Sequence, residues 1–360
     1  MKDFIKLIGW LCLLPVLTGC GNDEDVSGTP EASDLPILVS LAQDKQSGSS
    51  RATIFEDADD LKDVSKGGGN FHLNAYYLET GKEPQTYLNA QVKYFKDADD
   101  AGLYDPWRFY NGTDYYHAYW PKNGMLDFLA YMPYEESKRT YITNITYPTG
   151  GGISFHAALP SNVTIDEVAP NEFIYAYRKG MTSASSNLDS HGRLELNFAH
   201  PFAVVYFKLK QSLRYKLNSI KFFKPEETGI CKKGTYLASG DTKNASVGSW
   251  SDLDESTPYF INLGGKQIPD DINFNTVFAG PFLVIPQSVE GVKMVINVTD
   301  ASSETKDLPE VSIDGTVSSW EPGKRYTYIL DMGDPNTEIL FNVEVEAWEV
   351  INYDDIINIG

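Results

Sequence analysis

Leu35-Pro36-Ile37-Leu38-Val39-Ser40-Leu41 alternates Leu35, Ile37, Val39 and Leu41 with Pro36, Leu38 and Ser40. A period of two is that of a strand with one buried face. A polar run from Ala42 to Ser50 follows, and it closes on Arg51-Ala52. A core-grade strand tied to a soft, protease-accessible leash is an unusual way to begin a domain. Pro36 removes one ladder hydrogen bond and predicts an edge position for that strand.

Working outward, the same period recurs along the chain. Phe71–Leu78 follows a Gly67-Gly68-Gly69-Asn70 turn, and Thr86–Tyr94 sets Leu88, Ala90, Val92 and Tyr94 on one face. Tyr115–Trp120, Leu126–Tyr131, Glu172–Tyr177, Ala203–Leu209, Leu217–Phe223, Tyr259–Leu263, Val277–Ile285, Met294–Thr299, Tyr326–Met332 and Ile339–Val350 continue the series. No amphipathic helix longer than about two turns interrupts it. Short strands punctuated by turn residues predict antiparallel β-sandwiches, an all-β fold. With 22 Tyr, 18 Phe and 6 Trp, the aromatic content favours strands as well. At 360 residues the chain exceeds one ordinary core. Met181–Gly192, poor in apolar residues, is the expected break, giving one sandwich over 52–190 and another over 191–360.

The first nineteen residues read as a signal peptide: Lys2 and Lys6, an apolar run from Ile8 to Leu17, then Leu17-Thr18-Gly19-Cys20. That ending resembles a bacterial lipoprotein box, which implies lipidation at Cys20. Residues 20–34 read as an acidic tether, and 35–51 as an N-terminal strand with its soft, protease-accessible loop. Gly21-Asn22-Asp23-Glu24-Asp25 resembles a surface-export signal, although a solvated tether has the same composition. Cys12 leaves with the signal and Cys20 carries the lipid. Cys231 alone remains, so an internal disulfide is excluded and stability rests on packing.

Tyr119-Trp120-Pro121 with Leu126–Pro133, Leu196-Asn197-Phe198-Ala199-His200, Phe282–Gln287 and Trp320–Tyr328 carry a family likeness. In order and spacing they resemble the fimbrillin-like proteins of Bacteroidales, subunits of type V pili, over about Arg51 to Trp348. The resemblance implies two tandem transthyretin-like sandwiches and export as a lipoprotein to the outer membrane and cell surface. It also implies trimming after an Arg, here between Arg51 and Ala52, and assembly into a fimbrium by strand exchange with other subunits. On that resemblance 35–51 is a removable strand with its cleavage loop, and the displaced strand is Leu35, Ile37, Val39 and Leu41. Donor-strand candidates lie at the C-terminus, in Ile339, Phe341, Val343 and Val345, or in the tail with Ile351, Tyr353, Ile356 and Ile357. From Leu41 to Arg51 the chain spans about 33 Å when extended, enough to hold the cleavable bond clear of the fold.

Other chemistries find little support. A formal charge of -20 argues against nucleic acid as a partner. His72, His117, His156, His191 and His200 show no metal-ligand spacing, and no nucleophile elbow, phosphate loop or dinucleotide fingerprint is present. Neither a cofactor, a metal nor catalysis is therefore expected. His200 is better read as part of the strand motif than as a base. Asp57–Asp60 and Asp97–Asp100 lack the spacing of a calcium loop and read as solvated turns. Trp107, Tyr110 and Trp120 form a candidate stacking platform for a glycan, although sandwich aromatics usually fill cores. The alternative to a pilus subunit is accordingly a surface lipoprotein that binds glycan or host protein without polymerising.

Overall fold

The computed structural model describes residues 30–42, 55, 59–96, 106–164, 171–209, 216–225, 229–244, 248–254, 257–267, 277–315, 317–331 and 340–347. The fold is all-β, and the named helical segments among these residues are 3-10 turns of three residues each.

Numbered in chain order, the largest sheet runs β12 (Ile174–Met181), β8 (Met125–Met132), β3 (Asn70–Leu78), β4 (Gln85–Tyr94), β5 (Trp107–Tyr110), β2 (Val39–Leu41), β13 (Leu194–Leu196). β6 (Tyr115–Tyr116) hangs on β5, and β1 (Ala32–Pro36) forms a two-stranded ribbon with β7 (Tyr119–Pro121). A second sheet is β17 (Ser249–Asp254), β16 (Lys233–Ala238), β10 (Ile153–Ala158), β9 (Ile142–Thr146). A third is β11 (Asn162–Thr164), β18 (Tyr259–Gln267), β15 (Lys216–Phe223), β21 (Lys293–Thr299), β22 (Thr305–Asp307), with β23 (Val311–Ser312) beside β21. The fourth is β19 (Val277–Val284), β14 (Ala203–Leu209), β25 (Lys324–Asp331), β26 (Leu340–Ala347). β20 (Gln287–Ser288) and β24 (Ser319–Trp320) make a second short ribbon.

Three apolar cores follow from these sheets. The first lies inside the largest sheet, with Phe71, Leu73, Val92, Trp107, Phe128 and Ile174 among its members. The last, around Val205, Phe207, Ile220, Phe222, Ile296 and Tyr328, joins the third and fourth sheets. Between them Leu129, Tyr131, Phe155, Tyr175, Val204 and Tyr236 form a middle core. Strands β8, β12 and β14 feed two cores each, Leu126 and Phe128 facing one way, Leu129 and Tyr131 the other. That requirement explains why Leu126–Met132 is apolar at nearly every position: a strand buried on both faces loses its alternation.

The expected division at residue 190 does not coincide with a break in pairing. β10 from before it pairs with β16 from after it, and β11 pairs with β18. β2 lies against β13. Three pairs, β2 with β13, β11 with β18 and β14 with β25, run parallel, a departure from the purely antiparallel pattern expected.

The opening stretch is two strands. β1 carries Leu35, which is 55% exposed, and the expectation that Leu35 shares the buried face is corrected. β1 pairs with β7 outside the core, so its side chains have no interior to enter. Pro36 ends this edge ribbon, where a missing N–H is tolerated. Only the second half, Ile37, Val39 and Leu41, enters the first core. There β2 is an interior strand, with β5 on one side and β13 on the other.

Candidate functional site

The site is the slot that β2 fills. β13 runs on into Ala199, whose N–H donates to the Tyr175 carbonyl at 2.7 Å while the Tyr175 N–H returns to Ala199 at 3.2 Å. Tyr175 belongs to β12, the opposite end of the same sheet. The sheet therefore closes on itself, and β2 is the member that completes the ring between β5 and β13. Its hold is mostly apolar: a single register pair, Val39 with Trp107, ties it to β5. Backbone bonds from Leu194 N–H to the Leu38 carbonyl (2.8 Å) and from Ala42 N–H to Leu196 (3.1 Å) tie it to β13.

All three residues of β2 are buried, Ser40 included. A hydroxyl so placed needs a partner, and Ser40 Oγ donates to Asp189 Oδ2 at 3.0 Å. Asp189 also accepts Arg193 Nε at 2.6 Å on that oxygen, and the backbone N–H groups of His191 and Arg193, each at 2.9 Å, on the other. Burial pushes the Asp189 carboxyl up, but these donors outweigh it and hold the group below the usual carboxylate range. The slot thus meets an ionised acceptor at the position Ser40 occupies.

Two further buried groups brace the site. Arg178 on β12 donates Nε to Asp241 Oδ2 (3.2 Å), Nη1 to the Glu195 carbonyl of β13, and Nη2 to the Asn187 carbonyl (3.0 Å). Glu172 accepts the Phe55 N–H at 3.1 Å on one oxygen and lies 2.6 Å from His200 Nδ1 on the other. Phe55, four positions after Arg51, is buried in the first core, so the body of the chain is anchored close behind the expected cut.

Sequence reasoning missed Asp189, Arg193, Arg178 and the Glu172–His200 pair. Met181–Gly192 read as a linker because it is polar; in the fold its polarity supplies the wall of the slot. The available signal was Asp189-Ser190-His191-Gly192-Arg193, an Asp whose side chain can cap the turn that follows it. His200 lies in the strand motif that carried the family likeness, and its partner shows a structural role.

The expected glycan platform is corrected. Trp107 is buried against Phe71 and Tyr94, and Trp120 against Phe128, because both point into the first core. Tyr110 lines a shallow cleft of about 330 Å³ with Asn89, Gln91, Tyr116 and Tyr134, without either Trp. Of the donor candidates, Phe341, Val343 and Val345 belong to β26, which pairs with β25 of its own chain from Lys324–Ala347 to Asp331–Leu340. Val343 is half-buried and Val345 is 48% exposed. Cys20, Arg51, Ala52, Ile339, Ile351, Tyr353, Ile356 and Ile357 lie outside the described residues. No group of three metal-ligating side chains occurs among the described residues, and no helix there is long and apolar enough to cross a membrane.

On the outer face of the same sheet, the His72 ring stacks between Tyr131 and Tyr134, at 4.9 and 4.6 Å. Burial first and the nearby Arg139 cation second hold its pKa below the ordinary 6.5, and its buried Nδ1 has no hydrogen-bond partner. The unfolded chain therefore takes up a proton at this residue before the folded one does. Stability contributed by neutral His72 is complete above pH 6.5 and is lost as pH falls toward the lower folded value. His72→Phe should flatten the acid-side slope of unfolding free energy, by at most about 1.4 kcal/mol per pH unit, and leave it unchanged above pH 7. Urea titrations between pH 8 and 5 read this directly; superimposable slopes would refute it.

Residues 70–348 match a family model described as fimbrillin-like. Among solved structures, a fimbrial protein from Bacteroides vulgatus superposes with a TM-score of 0.56 at 16% identity, covering 87% of this chain and 99% of that one. A candidate cell adhesion protein from Bacteroides uniformis gives 0.51 at 13% identity, again over 87% and 99%. The tip fimbrial protein Mfa3 from Porphyromonas gingivalis, with a C-terminal truncation, gives 0.43 at 9% identity over 87% and 99%. At these identities the likeness is one of fold. No curated protein matches the sequence.

Proposed function

The chain belongs to the fimbrillin-like family, and on that premise we propose that it is a structural and adhesive subunit of a cell-surface pilus, without catalytic activity. It is exported to the outer membrane as a lipoprotein through Cys20, trimmed between Arg51 and Ala52, and joined to other subunits by strand exchange.

The observation that carries this reading is the interior position of β2. A strand contributed by the segment just before Arg51 closes the ring between β5 and β13. After a cut at Arg51 that strand is held only by noncovalent contacts. Burial of Ile37, Val39 and Leu41 is worth about 1.5–3 kcal/mol each, so about 4.5–9 kcal/mol in all, and this is an upper range. A strand held so firmly leaves when another takes its place. Strand addition supplies both the backbone pairing and the alternate apolar side chains. The tail from Ile351 is the proposed donor, because β26 is already paired to β25.

The N-terminal residue of the protein recovered from the cell surface tests the proposal. Polymer, seen as a heat-labile ladder on denaturing gels, should begin at Ala52, and Arg51→Ala should abolish the ladder and leave a lipid-anchored monomer beginning at Cys20. If surface protein begins at Cys20 and never at Ala52, the chain does not polymerise by this route.

A further inference from the structure

We infer that Asp189 sets the register of the incoming strand: the occupant must place a hydrogen-bond donor where Ser40 stands, and Ile357-Asn358-Ile359 from the tail of a second copy is that occupant. The inference rests on the strand-exchange reading above and adds a selection rule to it.

Three residues define the slot. Val39 and Leu41 enter the apolar core while Ser40 between them faces Asp189 at 3.0 Å. Arg193 and two backbone N–H groups already hold the carboxylate, and they keep it in place and ionised when β2 departs. A strand that fills the core pockets but offers nothing to Oδ2 forfeits the bond that Ser40 makes and leaves that part-buried oxygen to Arg193. One that offers a carboxylate brings like charges together at a part-buried site. The slot therefore requires apolar, donor, apolar.

The C-terminal region contains contrasting versions of that triplet. β26 carries Phe341-Asn342-Val343, with an amide at the middle position, and Val343-Glu344-Val345 and Val345-Glu346-Ala347, each with an acid there, but the whole strand is already paired with β25. Glu344 and Glu346 instead pair with Lys208 and Arg325 of their own chain. The tail offers two triplets with an amide at the centre, Ile351-Asn352-Tyr353 and Ile357-Asn358-Ile359. A Tyr is a poor fit to pockets that Val39 and Leu41 fill, since overpacking a closed core is itself destabilising. Reach separates them further. Measured from Ala347, the last residue of β26, Asn352 extends about 17 Å and Asn358 about 36 Å, so the second triplet has about twice the reach. The triplet around Asn358 is symmetric, so it fits whether the donor runs parallel or antiparallel to β2.

The test uses the full chain, cleaved by an arginine-specific protease, with the heat-labile ladder as readout. Asn358→Asp should reduce the polymer by about tenfold or more, Asn352→Asp should leave it unchanged, and Asp189→Asn in the same chain as Asn358→Asp should restore it. A normal ladder from Asn358→Asp, or loss with Asn352→Asp instead, overturns the assignment. Failure of Asp189→Asn to rescue, in a variant whose melting temperature matches the parent, overturns the role of Asp189. Deletion of 351–360 separates the two levels: a surviving ladder rejects the tail as donor altogether, whereas a lost ladder with a harmless Asn358→Asp rejects only the selection rule.

Discussion

The double substitution Val39→Ala with Leu41→Ala should lower the stability of the uncleaved chain by about 4–6 kcal/mol and leave assembled polymer unchanged. Val39 is 1% exposed and Leu41 9%, and both lie in the first core. Truncating a buried Leu to Ala costs about 2–5 kcal/mol, and the two carbons removed from Val39 add a smaller loss of the same kind. β2 sits between walls fixed by other contacts, so the structure has little freedom to collapse onto the space. The second half of the expectation follows from strand exchange: once β2 is gone, its side chains have no bearing on the polymer. Cleavage should also convert the double variant to polymer faster, because the departing strand is held less firmly. Urea titration of the uncleaved chain, set beside heat dissociation of polymer from the same variant, measures both halves. Equal losses in the two forms would mean that β2 stays in place.

What was legible in the sequence, and what was not, divides along physical lines. Alternation in Phe71–Leu78 and Thr86–Tyr94 announced strands because one face is buried and the other faces outward. Val39 and Leu41 were found in the same way. Leu35 shared their period yet lies in the ribbon with β7; periodicity reports the backbone conformation a segment suits, not which core it reaches. The burial of Trp107 and Trp120 could not be told from an exposed platform, since an aromatic strand serves either end. The polar wall was hidden for the opposite reason. Asp189, Arg193 and Arg178 look solvent-bound in sequence, and only tertiary structure gives them their places: β13 lying against β2 puts Asp189 beside Ser40, and β12 closing toward Ala199 sets Arg178 against β13.

On the strand-exchange proposal the body must tolerate losing β2, and the three-core arrangement bears on that. Ile37, Val39, Leu41 and Ala42 serve the first core alone. Among the described residues, the buried members of the middle and last cores all come from Leu129 onward, with half-buried Tyr76 packed against the middle core from the earlier part of the chain. β8 and β12 are also held from behind by the middle core, so on that proposal they should stay in place with β2 absent. Glu172, through the Phe55 N–H, ties down the chain close behind the proposed cut.

Arg178→Ala should cost about 3–5 kcal/mol, the range for removing one partner of a buried charged pair, and it should do so in the uncleaved chain and the polymer alike. The guanidinium is fully buried and joins three segments: Asp241 after β16, Glu195 in β13 and Asn187 in the polar loop. Truncation leaves the part-buried Asp241 carboxylate without its cation and strips a donor from two carbonyls. The loss falls on β13, the wall of the slot that every occupant must pair with, so native strand and donated strand suffer together. That shared loss is the opposite of the outcome for Val39 and Leu41, and the contrast separates wall from occupant. Arg178→Lys should recover only part of the loss, since a single ammonium cannot serve Asp241 and both carbonyls in the fork geometry of a guanidinium. Adding Asp241→Ala to Arg178→Ala should also recover part of it, by removing the stranded charge. Thermal melts of the three variants and the parent, with matched polymer dissociation curves, decide the matter. A cost under about 1 kcal/mol, or a cost confined to one of the two forms, would remove Arg178 from the wall of the slot.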